Sequence, residues 1–231
     1  MRTAKDFPPG TIVIPTSELG RYLDFHICLS GTAIPPGTFK SWQPGINVAN
    51  NLNEALRYRQ GEWCWFLGDD HAWRPDILLR LLDLNVDIVA PFCLKRELPP
   101  QTVMYRIDEA SGRVLHIQLD ELPTGGLVGV DAVGGAGLLV QEAVLCNMID
   151  PWFELGKTLP DQTGEDIYFC LKAKQLGYDV LVDLDTPMGH MTPSTVWPEL
   201  QADGLWGAVV QIGRKDCLRW PQEETEENHG E

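Results

Sequence analysis

Apolar residues fall along this chain in two rhythms. Residues 11–14, Thr-Ile-Val-Ile, form a β-branched run between Pro8-Pro9-Gly10 and Pro15, which predicts a first buried strand. Residues 62–67 make a second, aromatic-rich strand that ends on Gly68-Asp69-Asp70-His71, and residues 87–90 make a short third. Between them the spacing is helical. Val48, Leu52, Ala55 and Leu56 share one face of a helix over residues 47–58. Ile77, Leu78, Leu81 and Leu82 share one face of a helix that starts at Pro75, with Asp76 in its first turn. Residues 19–29 also read as helix, and the Gly/Pro-rich residues 31–45 as loop.

Farther on, residues 103–107 and 114–119 alternate like paired strands around a Ser111-Gly112 turn. Residues 138–140 form a strand that leads into a helix near Glu142, and residues 166–176 a helix closed by Gly177. A strand over residues 178–182 follows. Beyond Asp185 the chain is rich in Pro, Gly and Trp and predicts an ordered flap, with Trp197, Trp206 and Trp220 as packing residues or a sugar platform. Strands alternating with helices predict an α/β fold with a largely parallel, doubly wound sheet. Ligands bind such sheets beyond the carboxyl ends of the strands. Pro15-Thr16-Ser17 and Gly68-Asp69-Asp70-His71 both lie at such ends. No composition shift marks an internal boundary, so a single domain is expected over residues 1–222, followed by an acidic disordered tail, 223–231.

Composition narrows the function classes. The 231 residues are 44% hydrophobic and 22% charged, an ordinary globular balance. The longest apolar stretches are too short to span a bilayer. The first ten residues lack a basic start followed by an apolar run, so no secretory signal is expected and a cytoplasmic protein is. A net charge of −15 repels nucleic acid in general. The six cysteines are scattered singly with no CxxC pair, and most sit in apolar settings that suit small buried hydrophobes.

Three groups carry candidate chemistry. Adjacent carboxylates Asp69 and Asp70 at the end of a buried strand repel unless a cation or hydrogen bonds offset their charge. They are either a metal-and-diphosphate site or a solvated turn capping the next helix. Glu165 and Asp166 open a helix, where the dipole alone favours acidic residues. Their functional reading is a general base acting on an acceptor hydroxyl. His190 follows a strand in Met188-Gly189-His190 and is a candidate ligand, and His71 a further one. His26 and His116 read as structural. Gly134-Gly135-Ala136-Gly137 precedes a strand and is not a dinucleotide fingerprint, and neither a phosphate-binding P-loop nor a nucleophile elbow is present.

Taken in order, these pieces resemble the GT-A fold glycosyltransferases, the family 2-like group in particular. Ile12-Val13-Ile14-Pro15-Thr16 is similar to that family's first strand and nucleotide-binding turn, and Val48-Ala49-Asn50-Asn51-Leu52 to its "ARN" helix. Trp65-Phe66-Leu67-Gly68-Asp69-Asp70 with Arg74-Pro75-Asp76 resembles the DxD strand and the helix after it. Val133-Gly134-Gly135-Ala136-Gly137 resembles the acceptor-side glycine segment, and Gly164-Glu165-Asp166 the "ED" helix. The likeness covers roughly residues 11–192. It implies a Rossmann-like, mostly parallel sheet flanked by helices with a small antiparallel acceptor-side portion. It implies Asp70 and His190 as ligands of Mn²⁺ or Mg²⁺, and Pro15, Thr16, Ser17, Asn51, Asp69 and Gly135 around a nucleotide-sugar donor, a UDP-sugar being favoured. Asp166, supported by Glu165, would deprotonate the acceptor hydroxyl with inversion. A saccharide or glycoconjugate is the favoured acceptor, ahead of a hydroxymethylated DNA base. Two other readings compete: a sugar nucleotidyltransferase, and a non-catalytic sugar- or nucleotide-binding module. Gly68 stands where the family often has a third acidic residue, and Asn50 where it often has Arg.

Overall fold

The structure, a computed structural model, describes residues 2–16, 22–97, 99–108, 110–156, 164–200, 202, 204–212 and 215–220. These fall in two compact units, one built from residues 1–95 and 100–191 and one from residues 96–99 and 192–231. The first unit runs β1 (Thr11–Thr16), α1 (Leu23–Gly31), β2 (Phe39–Pro44), α2 (Val48–Arg57), β3 (Trp63–Phe66), β4 (His71–Ala72), α3 (Ile77–Asp83) and β5 (Ile88–Phe92). It continues through β6 (Met104–Ile107), β7 (Val114–His116), β8 (Leu127–Val130), β9 (Ala132–Val133), β10 (Leu139–Gln141), α4 (Glu142–Asn147), α5 (Glu165–Gln175), β11 (Val180–Pro187) and β12 (Gly189–His190).

Seven strands form the central sheet in the order β2-β1-β3-β10-β5-β11-β8. The pairs β1–β2, β1–β3 and β5–β11 are parallel, while β10 and β8 run antiparallel to their neighbours. The sheet is thus mostly parallel, with β10 reversed between β3 and β5. Its central strands are apolar on both faces: Ile12, Val13, Ile14, Cys64, Trp65, Val89, Ala90 and Val140 are fully buried. An edge-to-face chain of aromatic rings, Trp65–Trp73–Phe25, joins β3 to α1. The Trp65 indole N–H donates to Gly137 O at 2.9 Å, and that of Trp73 to Thr32 Oγ1 at 2.8 Å, so neither ring buries a bare donor.

Two expectations need correction. Residues 31–45 are not wholly loop, because Phe39–Pro44 forms the edge strand β2. Only Ser41 of its six residues is buried, so the strand carries no apolar signal, and Pro44 is tolerated because an edge strand has one unpaired side. The region beyond Asp185, expected to be an ordered flap in an irregular stretch, is built of strands. Residues up to Pro187 continue β11, and the second unit is a three-stranded antiparallel sheet of β13 (Ser194–Leu200), β14 (Trp206–Ile212) and β15 (Lys215–Trp220). Within it the half-exposed Trp197 donates its indole N–H to Gln211 Oε1 at 2.7 Å. The expected hairpin is present: β6 and β7 pair antiparallel, with Gly112 in the left-handed region at φ 67°, and β9 joins the other side of β6. The acidic tail lies outside the described residues. Among the described residues, no helix is long and apolar enough to cross a membrane.

One buried amide fixes the wall beside the sheet. Asn53, on α2, donates to Phe153 O at 2.7 Å and accepts from Phe153 N–H at 3.0 Å, clamping an irregular segment one hundred residues away. Phe153 in turn stacks on Phe169 of α5 and meets Phe66 of β3 edge-on. Asn53→Ala leaves two buried backbone groups without partners, so a loss of about 2–4 kcal/mol is expected, measured by urea unfolding.

Candidate functional site

Three parallel strands deliver their carboxyl ends to one place. β3 runs into Leu67-Gly68-Asp69-Asp70, β5 runs into Cys93, and β11 runs through Met188 to His190. Backbone bonds lock the three ends together: Met188 N–H donates to Phe92 O at 2.9 Å, and Met191 N–H to Asp70 O at 2.8 Å. β4 and β12 then pair as a two-residue antiparallel ladder that sets His71 directly opposite His190. Directly opposed residues project from the same face, and the two imidazoles stack with centroids 4.4 Å apart.

Asp70 is buried against both rings. Its Oδ1 lies 3.1 Å from His71 Nδ1, and its Oδ2 lies 3.5 Å from His190 Nε2. Burial alone would raise the Asp70 pKa, but hydrogen bonding and charge from His190 and His71 outweigh it and hold the carboxyl far below the usual carboxylate range. Cys93 faces the same cluster. Ligand-capable atoms of His71, Cys93 and His190 all lie within 4.8 Å of one another. Burial, assisted by the Asp70 charge, pushes the Cys93 thiol up to about 11.

The place of Gly68 has a steric reason. A Cβ there would stand 2.9 Å from His71 Nδ1 and 3.0 Å from Asp70 Oδ1, so any side chain displaces the imidazole. Asp69 turns the other way and accepts from Thr16 Oγ1 at 2.6 Å, which ties the end of β1 to the end of β3.

His71 and His190 line a cavity of about 230 Å³ whose walls also include Pro15, Leu52, Gly135, Phe153, Glu165 and Asp166. Asp166 stands in the first turn of α5, with Gly164 before it. A Cβ on Gly164 would come within 2.5 Å of Asp166 Oδ1, so glycine is what lets the carboxylate fold back over the helix start. Its Oδ1 accepts from Ile167 N–H at 2.8 Å and its Oδ2 from Gly135 N–H at 3.2 Å. Burial, reinforced by the neighbouring Glu165 charge, outweighs those hydrogen bonds and pushes Asp166 up to about 6.

The structure therefore brings His71, His190, Pro15, Gly135, Glu165 and Asp166 to one cavity, with Asp70 in contact with its two histidines. Asn51 is placed differently: its amide donates to Gly45 O at 3.1 Å and shapes the β2–α2 turn. Ser17 lies outside the described residues. Cys93 was read only as a buried hydrophobe, and His71 had no supporting context. The signal that finds both is topological, since each follows a parallel strand on the edge that carries Asp70. His26 and His116 lie in the helix and the strand expected of them: His26 stacks on Trp42, and His116 Nε2 lies 2.9 Å from Lys95 Nζ.

A carboxyl raised to about 6 has a testable thermodynamic sign. The folded state holds the Asp166 proton more tightly than the unfolded chain, so its stabilising contribution is complete below the ordinary value near 3.8 and is lost as pH rises through about 6. Wild-type stability relative to Asp166→Ala should fall by about 1–2 kcal/mol over that window, allowing for the partial solvent access of the carboxyl. Urea unfolding at a series of pH values measures it.

No protein family and no curated relative matches the sequence. Among solved structures, the protein "A197 from STIV" superposes with a TM-score of 0.52 over 90% of this chain and 95% of its own, at 16% identity. "S. aureus TarS 1-349" superposes with a TM-score of 0.48 over 79% of this chain and 60% of its own, at 13% identity. The first likeness spans nearly the whole of both chains and shows a shared mixed α/β fold with a mostly parallel central sheet.

Proposed function

We propose that this chain is a metal-dependent glycosyltransferase that moves a sugar from a nucleotide-diphosphate donor to an acceptor hydroxyl. The observation that carries the reading is the shared cavity. An imidazole–carboxylate cluster stands at the strand ends, and the same walls hold a carboxyl whose pKa has been raised into the range of a general base. The mostly parallel sheet is the architecture implied by the sequence's resemblance to GT-A enzymes, and the site occupies the edge where such sheets bind ligands.

The residues divide the work as follows. Pro15 and Thr16 at the end of β1, with Ser17 after them, frame the nucleotide. Asp69, oriented by the Thr16 hydroxyl, meets ribose or sugar hydroxyls. Asn51 holds the turn next to that strand, and Gly135 presents its N–H to Asp166. Asp70 and His190 would hold the divalent cation, Mn²⁺ or Mg²⁺ on the resemblance. The donor set suits a cation: His71 Nε2 is buried with no hydrogen-bond partner among the described residues, on a ring already against Asp70. When bound, the ion offsets the charge that develops on the departing diphosphate.

Asp166 takes the proton of the acceptor hydroxyl, whose oxygen forms the new bond to the anomeric carbon as the bond to the diphosphate oxygen breaks. Attack from the Asp166 side inverts the anomeric centre. Burial, reinforced by the Glu165 charge, keeps the Asp166 pKa high enough for the proton to be accepted. A UDP-sugar is the favoured donor and a saccharide or glycoconjugate the favoured acceptor. A hydroxymethylated DNA base is less favoured against a net charge of −15.

Calorimetry with UDP-, GDP- and TDP-sugars, with and without Mn²⁺, tests the donor site. Binding is expected to need the metal and to be lost in Asp70→Ala and His190→Ala. Nucleoside triphosphate binding without any sugar-nucleotide binding overturns the reading. Once a donor is known, kcat/KM should rise with pH to a plateau above about 6, falling about tenfold per unit below it, because only ionised Asp166 is a base. Asp166→Asn should remove transfer while donor binding survives.

A further inference from the structure

We infer that the second unit is a saccharide-binding sheet, whose groove, built on Trp197, takes a neutral sugar chain. The groove uses residues that the proposed transferase does not, and it stands whether or not the first unit transfers sugar.

Strand register sets the groove. Trp197 of β13 pairs with Val209 of β14, and Val209 pairs with Arg219 of β15, so the three side chains form one row on one face of the sheet. Gln211 and Glu199 lie two positions from Val209 and Trp197 along their strands and so share that face. Val209 is buried and makes the floor, while Trp197 is 53% exposed. Glu199 stands opposite Gly207, which has no side chain, and Arg219 reaches across β14 to donate to Glu199 Oε1 at 2.6 Å. A cavity of about 350 Å³ lies among Trp197, Glu199, Val209, Gln211 and Arg219, within the range of small-ligand pockets.

The chemistry of the lining selects the ligand. The Trp197 indole N–H donates to Gln211 Oε1 at 2.7 Å, so the half-exposed ring is anchored by its edge. An anchored ring loses little rotamer freedom when a ligand stacks on it. A pyranose has an apolar C–H face that suits an indole, and a rim of hydroxyls that both donate and accept. Around the ring, the Glu199 carboxylate accepts, the Arg219 guanidinium donates through a planar fork, and the Gln211 amide does both. A nucleobase would stack on the same ring, but charge decides against it. Glu199 and Arg219 offset one another, which leaves no surplus cation for a phosphate, and a net charge of −15 opposes a polyanion.

The test runs the full chain through native gels cast with dextran, xylan, galactomannan or mixed-linkage β-glucan, and through a gel with none. Retardation by at least one polysaccharide is expected, and labelled oligothymidylate should not bind. Trp197→Ala should weaken the retardation at least about tenfold, and Trp197→Phe should restore part of it. Trp42→Ala removes a part-exposed indole from β2, outside the groove, and should change nothing. Because Trp197 packs over the floor of a small sheet, Glu199→Gln provides a second variant of nearly the same shape, expected to weaken retardation severalfold. Absence of retardation in every gel, retardation that survives both Trp197→Ala and Glu199→Gln, or binding of oligothymidylate instead overturns the inference. Sugar-nucleotide binding by calorimetry should be the same in Trp197→Ala as in wild type, so the failure of either reading leaves the other standing.

Discussion

A carboxylate withdrawn from water must be compensated where it stands, and Asp70 is the carboxylate around which this fold closes. It sits at the end of β3, a strand with no polar surface of its own, and its partners cannot come from the same strand. They come from β4 and from the chain after β11, drawn together by a ladder only two residues long. The order of strands in the sheet follows the same need, since β3, β5 and β11 all point toward this edge while the reversed β10 fills the gap between two of them.

Much of this was legible in the sequence because the central strands are buried on both faces and therefore read as unbroken apolar runs. The ends of β1 and β3 were visible for the same reason: the first polar residues after such a run mark where the sheet meets solvent. What failed was equally physical. β2 is an edge strand whose one buried residue is a serine, so its composition is that of a loop. The direction of β10 depends on hydrogen-bond partners far away in sequence, which no local pattern encodes. β13, β14 and β15 lie in a region whose Pro and Gly content reads as irregular.

The candidate site was legible where charge made it conspicuous. Asp70 and Asp166 stand out because acidic residues beside apolar runs demand a reason. Cys93 does not, because a thiol amid Phe, Leu and Ala is indistinguishable from packing until the strand ends are brought together. His71 was ambiguous, since one residue after Asp70 it could face either way. The pairing with His190 settles that, and the pairing is a property of the fold and not of the neighbouring sequence.

The missing side chain at Gly68 has an electrostatic consequence. A third acid at that position would add a negative charge beside Asp70 and push the His71 ring away. With an imidazole in that space instead, the cluster carries one carboxylate fewer. On the proposed reading, a strongly anionic diphosphate would meet one repulsive centre fewer at this edge, and a cation held there would keep more of its own field to attract it.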